Sequence, residues 1–162
     1  MPLVMDAAGN YRARGPVRPN EILEAAAKIT EARILGTDDM ITDPNCAERL
    51  FVARLRHLEV EEFHVAFLTT RHRVIAVEAL FRGTIDGAEV HPREVVRAAL
   101  KHNAAAIIIA HNHPSGSPEP SAADRAVTAR LKQALALVDV RLLDHFVIGN
   151  PGAISLAARG WV

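Results

Sequence analysis

The chain has 162 residues, 49% of them hydrophobic, and its 19 basic residues balance 19 acidic ones to a formal net charge of zero. That length suits one domain with a substantial core, while the charge balance gives no overall pull toward phosphate backbones or anionic membranes, and an aromatic content of 4% leaves little for stacking bases. Cys46 is the only cysteine, which excludes an internal disulfide and a sulfur-rich zinc site and points to a reducing compartment.

In chain order, residues 1–10 lack the charged start and apolar stretch of a secretion signal, and residues 1–19, rich in Pro, Gly and Arg, read as a flexible leader. Asn20 is placed to cap a helix with Glu21 and Glu24 in its first turn, Ile22, Ala25, Ala26 and Ile29 on one face, and Gly36 as its stop. Asp43-Pro44 begins a second helix to about residue 57, with Leu50, Phe51, Leu55 and Leu58 apolar; the basic residues of 49–56 read as its solvated side. Together these form an N-terminal helical section, 20–58, packed on a domain at 59–162. Residues 63–69 and 74–81, rich in branched and aromatic side chains, predict two strands joined by the polar turn Thr70-Arg71-His72-Arg73, most simply a hairpin, with Gly83-Thr84 as a bend or bulge.

Pro92 opens a helix to about residue 101, with Val95, Val96, Ala99 and Leu100 inward, and 105–110 reads as a buried strand. The longest strongly apolar run, 104–110, is far too short to cross a bilayer, so a cytoplasmic location is expected. Residues 122–138 read as the longest helix, with Ala123, Val127, Leu131, Ala134, Leu135 and Val138 at helical spacing to cover a sheet. A strand at 140–148, a turn at Asn150-Pro151-Gly152 and a last strand at 153–156 complete an α/β domain with a mixed central β-sheet flanked by helices on both faces.

Between the buried strand and the long helix lies His111-Asn112-His113-Pro114-Ser115-Gly116-Ser117-Pro118-Glu119-Pro120-Ser121-Ala122-Ala123-Asp124. Side chains at i and i+2 of an extended segment point to the same side, so His111 and His113 can reach one cation, and Asp124, returned by the proline-rich turn, would close the site. Two imidazoles and a carboxylate, with a fourth position left to water, form the ligand set of a catalytic zinc ion and also tolerate other divalent ions. The same residues have plainer uses. The His-x-His pair can be two surface histidines, and Ser121-Ala122-Ala123-Asp124 is also a helix start in which Ser121 caps free N–H groups and Asp124 faces the positive end of the dipole. What favours a site is the combination, because the histidines end an apolar strand where functional residues are commonly presented.

The assembled motif, H-x-H followed after seven residues (Pro114 to Pro120) by S-x-x-D, resembles the signature of the JAMM metalloprotease family, also called MPN or JAB, in its bacterial RadC-like branch. The resemblance extends through Phe81-Arg82-Gly83-Thr84-Ile85-Asp86, His91-Pro92-Arg93-Glu94, Asp144-His145 and Arg159-Gly160-Trp161, and covers about residues 45–162. It implies a JAMM/MPN, cytidine deaminase-like architecture for 59–162. It also implies zinc or another divalent ion on His111, His113 and Asp124, and hydrolysis of a peptide or isopeptide bond in a peptide or protein substrate.

In the family a glutamate ahead of the motif takes a proton from the metal-bound water. Of the adjacent Glu61 and Glu62 the family spacing favours Glu61, with Glu62 pointing to the opposite face. The resemblance gives Ser121 the part of oxyanion donor, in which it competes with helix capping for one hydroxyl. His145 is expected as a buried or supporting histidine rather than a direct ligand, and His57, His64, His72, His91 and His102 as surface or structural residues. Ser115 and Gly116 are expected to shape the turn below the metal.

Three functions compete: a metal-dependent hydrolase of the metalloprotease type, a non-catalytic metal-binding module in a DNA-repair-associated RadC-like protein, and a metal-dependent nuclease suggested by the letters His-Asn-His. The nuclease is disfavoured by the neutral charge and by the different fold of sites bearing that name. Longer members of the branch carry a helix-hairpin-helix segment ahead of this domain, and the first 44 residues here lack its glycine-centred, phosphate-holding turn.

Overall fold

A computed structural model of the protein describes residues 3–35, 40–83 and 89–162. Among the described residues the chain forms, in order, β1 (Leu3–Met5), β2 (Tyr11–Ala13), α1 (Pro19–Leu35), α2 (Pro44–Leu55), β3 (Glu62–Leu68), β4 (Val74–Arg82), α3 (Pro92–Lys101), β5 (Ala106–Asn112), α4 (Ala122–Ala136), β6 (Arg141–Ile148) and β7 (Ala153–Ser155). Strands β3 to β7 make one mixed sheet in the order β4-β3-β5-β6-β7, in which only β5 and β6 run parallel. The expected β3–β4 hairpin therefore forms one edge, and β5, the strand that carries the histidines, lies at the centre.

Alternation along the strands divides the core into two layers. Ala66, Leu68, Ala106, Ile108 and Ala110 face α2, which contributes Cys46, Ala47, Leu50, Phe51 and Leu55 at helical spacing. Phe63, Val65, Phe67, Ile107 and Ile109 face the other way, against Val95 and Ala99 of α3 and Leu131 and Leu135 of α4. Helix α2, from the section expected at 20–58, fills one of these layers. Asp43 caps α2, its Oδ1 accepting from Cys46 N at 2.8 Å, and Pro44 occupies the first turn.

Several expectations differ from the fold. Residues 3–13, part of the expected flexible leader 1–19, pair as an antiparallel ribbon. Its turn is closed by Asp6 Oδ1, which accepts from Ala8 N and Asn10 N at 3.0 and 2.9 Å, with Gly9 at a φ of 82°. The longest helix among the described residues is α1, with 17 residues, and not α4, with 15. Helix α1 begins at Pro19, so Asn20 lies within it, and the Arg18 N–H is satisfied by Glu21 Oε2 at 2.8 Å.

Of the face expected to be buried on α1, Ala25 is inside while Ile22 is 52% exposed. The cause is that α1 packs chiefly on α2, a narrower surface than a sheet. Arg54, expected on the solvated side of α2, is instead half-buried and pairs with Glu31 of α1. Leu100, placed inward, is exposed because the buried stripe of α3 is only as wide as Val95 and Ala99, and Ala123, at the start of α4, is exposed. Gly36, read as a helix stop, and Thr84 lie outside the described residues.

Candidate metal centre

The histidine segment ends β5. His111 and Asn112 are its last residues, both buried, and His113 follows with its N–H donating to the Ile148 carbonyl at 2.8 Å, which extends the parallel pairing with β6 by one step. Alternation sends His111 to the α3/α4 side of the sheet with Ile107 and Ile109. On that side α4 begins, so the strand end and the helix start bring His111, His113 and Asp124 together. Their ligating atoms lie within 4.8 Å of one another, and this is the group among the described residues able to hold a metal ion. His111 Nε2 is 3.1 Å from Asp124 Oδ1, His113 Nε2 is 3.3 Å from Asp124 Oδ2, and the two Nε2 atoms are 3.0 Å apart.

The proton inventory shows why this cluster suits a cation. His113 Nδ1 can only donate to its partner, the Ser117 carbonyl, at 2.9 Å, so in neutral His113 the lone pair sits on Nε2. Lone pairs and a carboxylate that converge in this way are stable only with a metal or a proton among them. The electrostatics express this need. The Asp124 hydrogen bond, opposed by burial and aided by the Ser117 carbonyl, raises His113 above its ordinary value. Burial would raise the Asp124 carboxyl, but the His111 and His113 imidazoles beside it and the hydrogen bond from Ser121 N–H outweigh it and hold the group well below the carboxylate range.

Ser121 is the N-cap of α4. Its Oγ accepts from Asp124 N at 3.1 Å while Asp124 Oδ2 accepts from Ser121 N at 2.7 Å, a capping box that also fixes the Asp124 carboxylate beside the histidines. Capping uses a lone pair of Oγ and leaves the O–H proton to donate elsewhere.

Glu61 and Glu62 fall on opposite sides of the sheet. Glu61 lines a cleft of about 330 Å³ together with Phe63, His111, Asp124, Val127 and Arg130. Glu62 faces α2, where its Oε2 meets His64 Nε2 at 2.8 Å. Asn112, between the two histidines, points to the Glu62 side and clamps the segment that carries both acids: its Oδ1 accepts from Glu62 N at 2.8 Å and its Nδ2 donates to the Val60 carbonyl at 2.9 Å.

Behind His111 lies His145, fully buried, with its Nε2 2.8 Å from His111 Nδ1 and its Nδ1 2.6 Å from Thr128 Oγ1. Burial, and then the charge of His111, pushes His145 well below the usual histidine range. In the loop after His113, Gly116 has a φ of 99°, and its carbonyl accepts from Asn150 N at 2.8 Å. Sequence reading missed Thr128, Asn112 and Gly149. A Cβ on Gly149 would lie 2.3 Å from the Gly116 carbonyl oxygen and 2.7 Å from Pro118 N, so only glycine lets the β6–β7 turn approach the histidine loop this closely.

The family model for the RadC-like JAB domain matches residues 41–161. A UPF0758 protein of Xanthomonas campestris pv. campestris is 58% identical over 143 residues, which are 86% of this chain and 64% of that protein. A UPF0758 protein of Xanthomonas axonopodis pv. citri is 62% identical over 85% of this chain and 63% of its own length, and one of Nitrosococcus oceani is 61% identical over 78% and 56%. The chain thus spans less than two thirds of the length of the relatives it matches.

Proposed function

The chain belongs to the RadC-like JAB domain family, and from that premise we propose that it is a zinc-dependent hydrolase of peptide or isopeptide bonds, with His111, His113 and Asp124 as ligands, Glu61 as general base and Ser121 as oxyanion donor. The observation that carries the reading is the convergence of the two Nε2 atoms and the Asp124 carboxylate within 4.8 Å, at a cleft that Glu61 also lines. Two imidazoles and one carboxylate, with room for a fourth ligand, suit zinc. A zinc ion held there would supply a positive charge that polarises the scissile carbonyl and acidifies a water molecule.

The remaining chemistry belongs to the chain. Glu61 takes the proton of the attacking water and returns it to the leaving amine, so that the C–N bond breaks without expelling an amide anion. The Ser121 O–H, not consumed by capping, donates to the oxygen that becomes negative in the tetrahedral intermediate. Phe63 and Val127 give the cleft an apolar wall against which a peptide side chain packs, and Arg130 sets a positive charge on its lining. The lone, buried Cys46 suits a reducing, cytoplasmic setting, and among the described residues no helix is long and apolar enough to cross a membrane.

The test is a screen of peptide and isopeptide libraries with zinc-loaded protein, repeated with Glu61→Gln. Cleavage is expected to fall about 10²- to 10⁴-fold in the variant with zinc uptake unchanged. Zinc uptake without cleavage of any library member by the wild type identifies a metal-holding module without turnover, and absence of zinc uptake removes the reading altogether.

A further inference from the structure

We propose that His145 is a positioning residue, held by Thr128, that fixes the tautomer of His111 and so aims the lone pair of His111 Nε2 at the metal centre. Each proton along the buried Thr128–His145–His111 chain has one place to go. Thr128 Oγ1 lies 2.6 Å from the Asp124 carbonyl one turn back in α4, and a carbonyl can only accept, so the single hydroxyl proton is spent there. Thr128 Oγ1 is also 2.6 Å from His145 Nδ1, which therefore donates. Neutral His145 then carries its lone pair on Nε2, where the partner at 2.8 Å is His111 Nδ1, and this contact needs the proton on His111. What remains on His111 is a bare Nε2, the atom that faces His113 Nε2 and Asp124 Oδ1. The opposite assignment, with Thr128 donating to His145, would run every proton the other way and place an N–H on His111 Nε2, where a cation must bind.

The fold makes this arrangement rigid. His145 is 0% exposed, Thr128 is 0% exposed, and Phe63 packs edge-on against the His145 ring at 5.8 Å and stacks on His111 at 6.3 Å. His113 is fixed in the same sense by an independent device, the Ser117 carbonyl on its Nδ1. Both histidines are thereby set to offer Nε2, and donation from the far ring nitrogen to an acceptor also raises the basicity of the ligating one.

The inference rests on the metal-centre reading for its consequence, though not for the tautomers themselves, and the experiment separates the two. Long-range ¹H–¹⁵N correlation on metal-free, ¹⁵N-labelled protein is expected to show the proton on Nδ1 of both His145 and His111. A proton on Nε2 of His145 overturns the proposal. Zinc affinity, read by competition with a chromophoric chelator, is expected to weaken about tenfold to a hundredfold in His145→Leu. It should recover most of that loss in His145→Gln, whose carbonyl oxygen can accept where Nε2 did. Thr128→Val, which keeps shape but removes the acceptor for His145 Nδ1, should change the His145 tautomer signal, and Thr128→Ser should not. Wild-type affinity in folded His145→Leu overturns the relay while leaving the metal centre standing. Failure of the wild type to take up zinc overturns the metal reading, and the tautomers in the metal-free protein still decide the relay.

Discussion

Ser121 is placed to serve stability and the proposed chemistry through different atoms. Its oxygen lone pair caps α4, and its O–H proton is the group assigned to the oxyanion. Ser121→Gly separates these parts, because glycine at an N-cap costs only a few tenths of a kcal/mol relative to serine yet has no donor. Peptide hydrolysis by that variant is expected to fall about a hundredfold or more while the melting temperature stays nearly constant. Ser121→Ala should lose the same activity and also about 1 kcal/mol of stability, measured by urea unfolding. Equal hydrolysis in Ser121→Gly and wild type would remove the hydroxyl from the mechanism. Glu61 and Glu62 differ for a reason as local: neighbours on an extended segment face opposite ways, so one lines the cleft and the other joins His64 on the α2 side.

At the scale of elements, three units meet at the centre: the end of β5, the start of α4, and the turn between β6 and β7. The first two carry the proposed ligands, while the third carries none and fixes the loop that joins them. Gly116 accepts from Asn150 N at 2.8 Å, and His113 N–H is tied to the Ile148 carbonyl at 2.8 Å, so the turn holds both ends of the segment bearing the second histidine. Gly149→Ala drives a methyl group into the Gly116 carbonyl, a backbone atom that cannot swing aside. Stability is expected to fall by about 1–3 kcal/mol. Zinc affinity should fall with it, because displacement of residues 114–118 carries His113 away from Asp124. Zinc binding at wild-type strength in that variant would show that the histidine loop does not depend on the turn.

For the whole molecule, a bound metal ion and a proton would act on the same equilibrium. A ligand that binds only the folded chain stabilises it by about 2.7 kcal/mol at a hundredfold excess over Kd, which for a chain of this length raises the melting temperature by about 5–10 °C. Zinc should produce that shift in the wild type and not in Asp124→Asn, which lacks the carboxylate ligand. A second effect needs no metal. His64, sealed between α2 and the sheet, is pushed below its ordinary 6.5 by burial, an effect that the Glu62 hydrogen bond only partly offsets and that Arg54 reinforces. Its folded pKa being the lower one, the unfolded chain takes up the proton first. The stability it contributes is complete above about pH 6.5 and is lost as pH falls. In metal-free protein the urea midpoint should therefore fall between about pH 8 and pH 5.5, and fall less steeply in His64→Gln; identical slopes would assign the acid sensitivity to other groups.

The amino-acid order alone determined what depends on near neighbours. Alternation along an extended chain put His111 and His113 on one side, the S-x-x-D spacing put Asp124 in the first turn of a helix, and apolar periodicity yielded the four helices and the strands of the sheet. It did not reveal which side of α1 is buried, since that depends on what α1 meets. Nor did it reveal which groups these side chains meet, because the partners lie far along the chain: Thr128 is 17 residues from His145, His145 is 34 from His111, and Asn112 is 50 from Glu62. Strict alternation also fails where it matters most. Leu142 and His145 both face α4 although three residues apart, because the β5–β6 register shifts between Ile107 and Ile108, opposite Leu142 and Asp144, and the extra residue turns the strand over. Tertiary pairing supplies that shift, and with it the histidine that stands behind the ligand.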